Sequence, residues 1–322
     1  MSDTILYIVI PCYNEQEVLN LTADVLKQKM NTLFNDGKIS TRSKVMFVND
    51  GSKDKTWQII KDLHREDALF TGITLSRNRG HQNALLAGLM TAKQYADIVI
   101  SMDADMQDDI NVIDRFIDKY NQGNDIVYGV RSSRKTDTVF KRNTALAFYK
   151  LMQWLGAETV YNHADYRLMS KRALEGLAQF NEVNLFLRGL VPMVGYLSDT
   201  VEYERGERKA GESKYPLKKM TAFALDGITS LSIKPITLIT KLGLIIFLLS
   251  LAALIWILIV KFTGHATIGW SSILISIWML GGLQLLAIGI IGEYIGKIYK
   301  ETKQRPRYII AENLEEVKDT NQ

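Results

Sequence analysis

The sequence contains a single cysteine, Cys12, in 322 residues. That excludes an internal disulfide and a cysteine-built metal cluster. Histidine is nearly as scarce: His64, His81, His163 and His265 lie far apart, and none reads as a metal ligand. Only 5 prolines occur, no internal repeat or low-complexity tract is present, and disorder is expected only in the polar run from Glu315 to Gln322. A large excess of charge is also missing. The formal net charge of +4 is too small to suggest a nucleic-acid partner, although it suits an anionic membrane surface or anionic substrates. Finally, Met1 to Val9 has no basic segment followed by a long apolar one, so no secretory signal peptide is expected at this start.

Charge is absent altogether from two stretches near the C-terminus. Residues 242–260, LGLIIFLLSLAALIWILIV, and 266–292, ATIGWSSILISIWMLGGLQLLAIGIIG, carry none. A helix needs roughly 20 apolar residues to cross a bilayer core. Two adjacent runs of this kind predict two transmembrane helices rather than buried core helices. Lys234 and Lys241 precede the first run, and Lys297, Lys300, Lys303, Arg305 and Arg307 follow the second, while the intervening loop holds only Lys261 and His265. The positive-inside rule then places both termini in the cytoplasm of a multi-pass protein of the cell membrane. Gly281, Gly282, Gly289 and Gly292 would let spans or protomers pack closely, which makes a homo-oligomer a candidate state.

The remainder has ordinary globular composition, 47% hydrophobic and 23% charged over the whole chain. Strand-like runs at 4–10, 44–50, 72–76, 97–103 and 125–130 alternate with helical patterns at 15–34, 56–65, 81–94 and 110–122. Single helices between strands predict right-handed crossovers and a mostly parallel α/β sheet. Such sheets bind ligands beyond the carboxyl ends of their strands, and the polar motifs are concentrated there. Further on, Leu217, Met220, Ala224, Ile228 and Leu231 recur at helical spacing opposite Lys218 and Lys219. This predicts an amphipathic helix lying in the membrane interface. The expected organisation is a cytoplasmic domain over 1–214, an interfacial helix over 215–234, two transmembrane helices over 235–296 and a tail over 297–322.

The strongest chemical signal is MDADMQD, residues 102–108, after the apolar strand ending near Ile100. Magnesium prefers oxygen ligands and is commonly shared between one or two carboxylates and substrate phosphates. An Asp-x-Asp at a strand end, here Asp103 and Asp105, suits that arrangement, and a metal there would neutralise charge developing on a leaving diphosphate. The motif alone is equally compatible with an acidic loop capping the next helix. Three other polar segments close their strands: IVIPCYNE (8–15), VNDGSKDKT (48–56) and SRNRGHQNALLAG (76–88). Each admits turn chemistry as a reading, with Ser52 or Asp54 as helix cap and Asp50–Gly51 as a turn. The functional alternative gives Asp50 a hydrogen bond to a base or ribose. The basic, glycine-containing segment Arg205, Gly206, Arg208, Lys209, Gly211 and Lys214 suits phosphate binding in a loop beside the membrane.

Taken in order and spacing, these motifs resemble those of the family 2 glycosyltransferases. The similarity is greatest to the branch acting on polyprenyl phosphate, which includes dolichol-phosphate mannose synthases and bacterial undecaprenyl-phosphate glucosyltransferases. It continues through HADYRLMS (163–170), RGERKAGESKYP (205–216), the two spans and RPRYII (305–310). The resemblance implies a GT-A, Rossmann-like nucleotide-diphospho-sugar transferase domain. It implies that Pro11, Tyr13, Glu15, Asp50 and Asp103 hold the donor nucleotide. Asp103, Asp105 and Gln107 would form the site of Mg²⁺ or Mn²⁺, with Asp105 as a direct ligand. Arg131, Arg208, Ser213 and Lys214 would bind phosphate groups, and Asp165 would stand near the reacting centre as a base. The last role is open on chemical grounds. A phosphate monoester has its second pKa near 6 and is mostly dianionic at neutral pH, so it hardly needs a base. Asp165 would then orient Arg167 or position the sugar.

The implied reaction is an inverting transfer of a sugar from a nucleotide sugar to a polyprenyl phosphate lipid, for glycan modification of the cell envelope. UDP-linked glucose or N-acetylglucosamine are the first candidates, with GDP-mannose a further one. A processive polysaccharide synthase of the same fold would carry Gln-x-x-Arg-Trp, yet none of Trp57, Trp154, Trp256, Trp270 and Trp278 follows an arginine. A non-catalytic membrane scaffold would have no need of Asp103, Asp105 and Asp165.

Overall fold

The computed structural model describes residues 2–131, 163–204, 234–262 and 270–315. The expected interfacial helix and the residues Arg208, Ser213 and Lys214 lie outside the described residues.

Five strands and four helices alternate first: β1 (Leu6–Cys12), α1 (Leu19–Asn35), β2 (Lys44–Asn49), α2 (Thr56–Glu66), β3 (Phe70–Leu75), α3 (His81–Ala92), β4 (Ile98–Ser101), α4 (Val112–Asn121) and β5 (Ile126–Arg131). Then come β6 (His163–Ser170), α5 (Lys171–Leu177), α6 (Leu187–Met193) and β7 (Ser198–Tyr203). Two long helices, α7 (Lys234–Phe262) and α8 (Trp270–Lys303), precede a last strand, β8 (Ile310–Asn313). The eight strands form one sheet in the order β7-β5-β6-β4-β1-β2-β3-β8.

β1 shows why this order is stable. All seven of its residues are buried, as expected for a central strand covered on both faces. Leu6, Ile8, Ile10 and Cys12 pack in one core layer with Leu19, Leu26, Met30 and Leu33 of α1. Tyr7 and Val9 point the other way, into a second layer with α3, α5 and α6. α3 lies so close to the sheet that a Cβ on Gly88 would meet Val9 Cγ1 at 2.4 Å and Val48 Cγ2 at 2.6 Å. Glycine is therefore required at the crossing point.

β1, β2, β3 and β4 run parallel, as their crossover helices demand. β5 keeps the same direction but does not pair with β4. β6 inserts between β4 and β5 and is antiparallel to both. Its register pairs Ser101 with Arg167 and Ile100 with Leu168. Continued past the end of β4, that register sets Asp165 across from Asp103.

The described part of the expected tail, residues 297–315, contains regular structure. Residues 297–303 are the last turns of α8, and β8 adds antiparallel to the edge of β3, pairing Ile73 with Asn313 and Thr74 with Glu312. Glu315 closes the join by accepting hydrogen bonds from Tyr7 Oη at 3.0 Å and Lys44 Nζ at 3.0 Å. An otherwise open sheet edge is thereby covered.

α7 and α8 have 29 and 34 residues, about 43 and 51 Å at 1.5 Å per residue. Their described large apolar side chains face outward: Leu248, Leu249 and Trp256 on α7, and Ile277, Leu285 and Ile288 on α8, are all more than half exposed. Several side chains inside both helices lie outside the described set, and the residues that are described contain no helix long and apolar enough to cross a membrane. Among the described residues, a Cβ added at Gly281, Gly282, Gly289 or Gly292 would meet nothing within 4 Å.

Candidate active site

The carboxyl ends of β1, β2 and β4 open on the same side of the sheet, and their loops are built on one another. After β1, Asn14 adopts a left-handed φ of 55°. Its backbone N–H donates to Ser52 Oγ at 2.9 Å, and its side-chain oxygen accepts from Lys53 N at 2.9 Å. Glu15 N donates to Thr56 Oγ1 at 2.9 Å, and Asp54 Oδ1 accepts from Thr56 N at 3.0 Å. The first two motifs thus interlock, leaving Pro11 buried and Tyr13 38% exposed at the rim.

Asp50 binds the second motif to the third. It is buried, with Oδ1 accepting from Arg79 N at 2.7 Å and Oδ2 from Gly80 N at 2.9 Å. Burial raises its pKa above the usual carboxylate value, against those two hydrogen bonds and the nearby His81. Gly51, at φ 62°, sits where a Cβ would lie 2.6 Å from the backbone of Arg77 and Asn78. The turn chemistry read for Asp50–Gly51 is therefore present, and it serves to bring the third loop alongside.

The acidic loop follows β4. Thr22 Oγ1 of α1 donates to Ala104 O at 2.9 Å, which pins the loop from behind. Asp105 Oδ1 accepts from Gln107 N at 3.2 Å across Met106, whose φ is 53°. Asp108 faces inward and is almost fully buried, accepting from Tyr203 Oη at 2.5 Å. Arg131 Nε donates to the same Tyr203 Oη at 3.4 Å, and its Nη2 lies 3.9 Å from Asp108. Arg131 therefore stands at the edge of the acidic loop.

Asp103 and Asp165 share a neighbour. His81, the first residue of α3, places Nε2 3.8 Å from Asp103 Oδ1 and 3.6 Å from Asp165 Oδ2. Asp165 is further gripped by two guanidinium groups. Its Oδ1 accepts from Arg167 Nη2 at 2.9 Å and from Arg188 Nε at 3.3 Å, and its Oδ2 accepts from Arg188 Nη2 at 3.0 Å. Burial opposes its ionisation, but Arg188, His81 and Arg167 outweigh it and hold the carboxyl well below the usual range. Asp103 goes the other way. Burial raises its pKa, His81 counteracts, and Asp165 and Asp105 add repulsion. Arg167 is buried to 1% exposure, whereas the Arg188 side chain keeps 33%.

The loops that converge here come from one family. The sequence profile described as glycosyl transferase family 2 matches residues 7–177. The chain is also 55% identical over 313 residues to a protein of Bacillus subtilis (strain 168) named "Uncharacterized glycosyltransferase YkoT", covering 97% of this chain and 93% of that one. The chain belongs to glycosyl transferase family 2.

This family 2 glycosyltransferase is 41% identical over 305 residues to the "Bactoprenol glucosyl transferase" of Shigella phage SfX, covering 94% of this chain and 97% of the phage protein. Among solved structures it is similar to glucosyl-3-phosphoglycerate synthase from Mycobacterium tuberculosis, with a TM-score of 0.45, 14% identity, and 71% and 77% coverage of the two chains. The profile match runs from β1 to α5 and so takes in Asp50, His81, Asp103, Asp105 and Asp165. It ends before Arg188 and before both long helices, whereas the match to the Bacillus protein extends over nearly the whole chain.

The structure adds His81 and Arg188 to the residues selected by sequence. His81 lay within a quoted motif, directly after Gly80 at the start of a helix, and that position was its only signal. Arg188 belonged to no motif. No group of three or more His, Cys, Asp or Glu side chains that could hold a metal ion is found among the described residues. The oxygen donors Asp103, Asp105 and Gln107 nevertheless lie together on one loop.

Proposed function

We propose that this family 2 glycosyltransferase transfers a hexosyl unit from a nucleotide sugar to polyprenyl phosphate at the cytoplasmic face of a membrane. The observation that carries this reading is the placement of Asp165, with its two arginines, directly across from Asp103 at the open ends of the strands. An acidic loop suited to a metal–diphosphate lies beside a cationic group suited to an acceptor phosphate, with His81 Nε2 3.8 Å from Asp103 and 3.6 Å from Asp165. Support for the lipid comes from the phage relative's name and from the two helices, whose charge-free runs and outward apolar side chains match a bilayer's needs. The relative's name also makes glucose the first sugar to test, with UDP-linked N-acetylglucosamine next.

The residues fit a divalent cation. Asp103, Asp105 and Gln107 offer hard oxygen donors, and the repulsion that Asp165 and Asp105 exert on Asp103 is of the kind a cation relieves. Bound there, Mg²⁺ or Mn²⁺ would stabilise negative charge on the departing nucleoside diphosphate. Tyr13 at the rim, with Glu15 beside it and Pro11 buried behind, would hold the nucleotide, while Asp50 acts by holding the loops. Arg131 and Arg188 would meet phosphate oxygens, joined by Arg208, Ser213 and Lys214. In the reaction, an oxygen of the lipid phosphate forms a bond to the anomeric carbon from the face opposite the leaving group. The bond from that carbon to the diphosphate oxygen breaks, and its electron pair leaves with the nucleoside diphosphate. The configuration inverts. Asp165 serves as the anchor of Arg188, since three donors already occupy its oxygens.

The test uses the purified full chain in detergent or nanodiscs with undecaprenyl phosphate, Mg²⁺ and radiolabelled UDP-glucose, UDP-N-acetylglucosamine or GDP-mannose. Formation of a lipid-extractable labelled sugar, abolished by EDTA and restored by Mg²⁺ or Mn²⁺, is the expected result. Failure with every donor, or full turnover in EDTA, would overturn the proposal.

A further inference from the structure

Between α5 and α6 the chain passes through Glu182, Val183 and Asn184, which belong to no motif. This loop is fastened to the end of α8. Glu301, in the last turn of the helix, accepts from Val183 N at 2.8 Å through Oε2 and from Asn184 N at 2.7 Å through Oε1. Asn184 Nδ2 adds a third bond to Glu301 Oε1 at 2.7 Å and reaches Lys297 O at 3.3 Å. Just beyond α8, Arg307 Nη1 donates to Phe180 O at 3.0 Å. Both ends of the loop are therefore held by the segment that leads out of the second long helix.

The loop leads directly to the active site. Arg188 lies four residues beyond Asn184, in the first turn of α6. Leu187 N, beside it, donates to Gln82 Oε1 of α3 at 2.8 Å. α6 has only seven residues, too few to be stable alone. Leu187, Leu190 and Val191 seat it in the second core layer, and these hydrogen bonds fix the segment that leads into it. A carboxylate that receives two consecutive backbone N–H groups makes charge-assisted bonds, roughly twice as strong as neutral ones. Val183 and Asn184 would lose those acceptors if Glu301 were removed.

We propose that Glu301 is a positioning residue, which couples the end of α8 to the Arg188–Asp165 pair. It sets where the acceptor-side cation stands relative to the helix that would hold the lipid. This inference rests on the reading of α8 as a membrane helix and of Arg188 as a phosphate contact, and it assigns Glu301 no contact with substrate.

The experiment compares wild type, Glu301→Ala, Glu301→Gln and Glu301→Asp as full-length proteins. Glu301→Ala lowers kcat/KM for undecaprenyl phosphate by about tenfold or more, the scale of losing one to two charge-assisted hydrogen bonds. The Kd for the nucleotide sugar stays within about twofold, because the donor loops do not touch the latch. Glu301→Gln keeps one acceptor oxygen and recovers part of the loss. A merely structural role would instead weaken donor and acceptor parameters together, and that result would overturn the proposal, as would wild-type acceptor kinetics in Glu301→Ala. Amide hydrogen exchange across 183–188 provides a readout independent of the reaction. It accelerates in Glu301→Ala while β1 and β4 stay protected. Unchanged exchange there overturns the latch, whereas a wild type that forms no lipid-linked sugar overturns only the function proposed above.

Discussion

Tyr203, the last residue of β7, donates its hydroxyl to Asp108 at 2.5 Å and so ties the outer strand of the sheet to the acidic loop. Arg131 Nη2 lies 3.9 Å from the same carboxylate, and Tyr166 Oη donates to the neighbouring Asp109 O at 3.0 Å. Tyr203→Phe removes this donor from a nearly buried carboxylate. The expected cost is about 1–3 kcal/mol of stability. Because the loop also carries Asp103 and Asp105, the apparent affinity for Mg²⁺ falls as well. Thermal unfolding and a metal titration of transfer activity check the two effects together.

Asp165 and Arg188 are expected to act as one unit. Asp165→Asn and Arg188→Ala each lower kcat/KM for the acceptor by roughly two to three orders of magnitude, and the double variant loses little more. Additive losses would return Asp165 to the role of an independent base. Asp165→Asn should also lower the unfolding midpoint, since it strips Arg167 of its counter-ion at 1% exposure, a change costing about 3–5 kcal/mol. Arg188→Ala leaves Arg167 paired and should spare stability.

Asp114, on α4, allows a test by pH. It receives Lys38 Nζ at 2.7 Å and is also bonded to Lys29, so α1 and the loop after it are held to α4. Burial opposes its ionisation, but the two lysines outweigh burial and lower its pKa in the folded chain. A folded pKa below the unfolded value, about 3.9, means the contribution is present above that pH and disappears as pH falls through the folded value. The stability difference between wild type and Asp114→Asn should therefore be constant from neutral pH downward and shrink below about pH 4. Urea midpoints across that range measure it.

Gly88 sets packing against propensity. Alanine favours a helix over glycine by up to about 1 kcal/mol. At this crossing, however, the new Cβ would press on Val9 and Val48 at 2.4 and 2.6 Å. Overpacking of this kind costs about 1–3 kcal/mol, so Gly88→Ala is expected to lower the unfolding midpoint. A rise would show that the helix can retreat from the sheet without loss.

What the sequence determined alone was whatever depends on near neighbours. Apolar runs flanked by turn residues marked β1 to β5 to within about two residues. The 3–4 spacing of α1, the motif order and the charge-free runs were legible for the same reason. Family membership followed from these motifs. Tertiary structure decided what depends on pairing between distant segments. The antiparallel insertion of β6 beside β4 sets Asp165 opposite Asp103, some 60 residues away in sequence. Arg188 acquires its meaning only because a short helix is held against α3 and α8. The acceptors that hold it are Gln82, Asp165 and Glu301, and the donors bound by Gln82 and Glu301 include backbone N–H groups. Every non-proline residue has such a group, so no residue pattern in the sequence identifies which will be used.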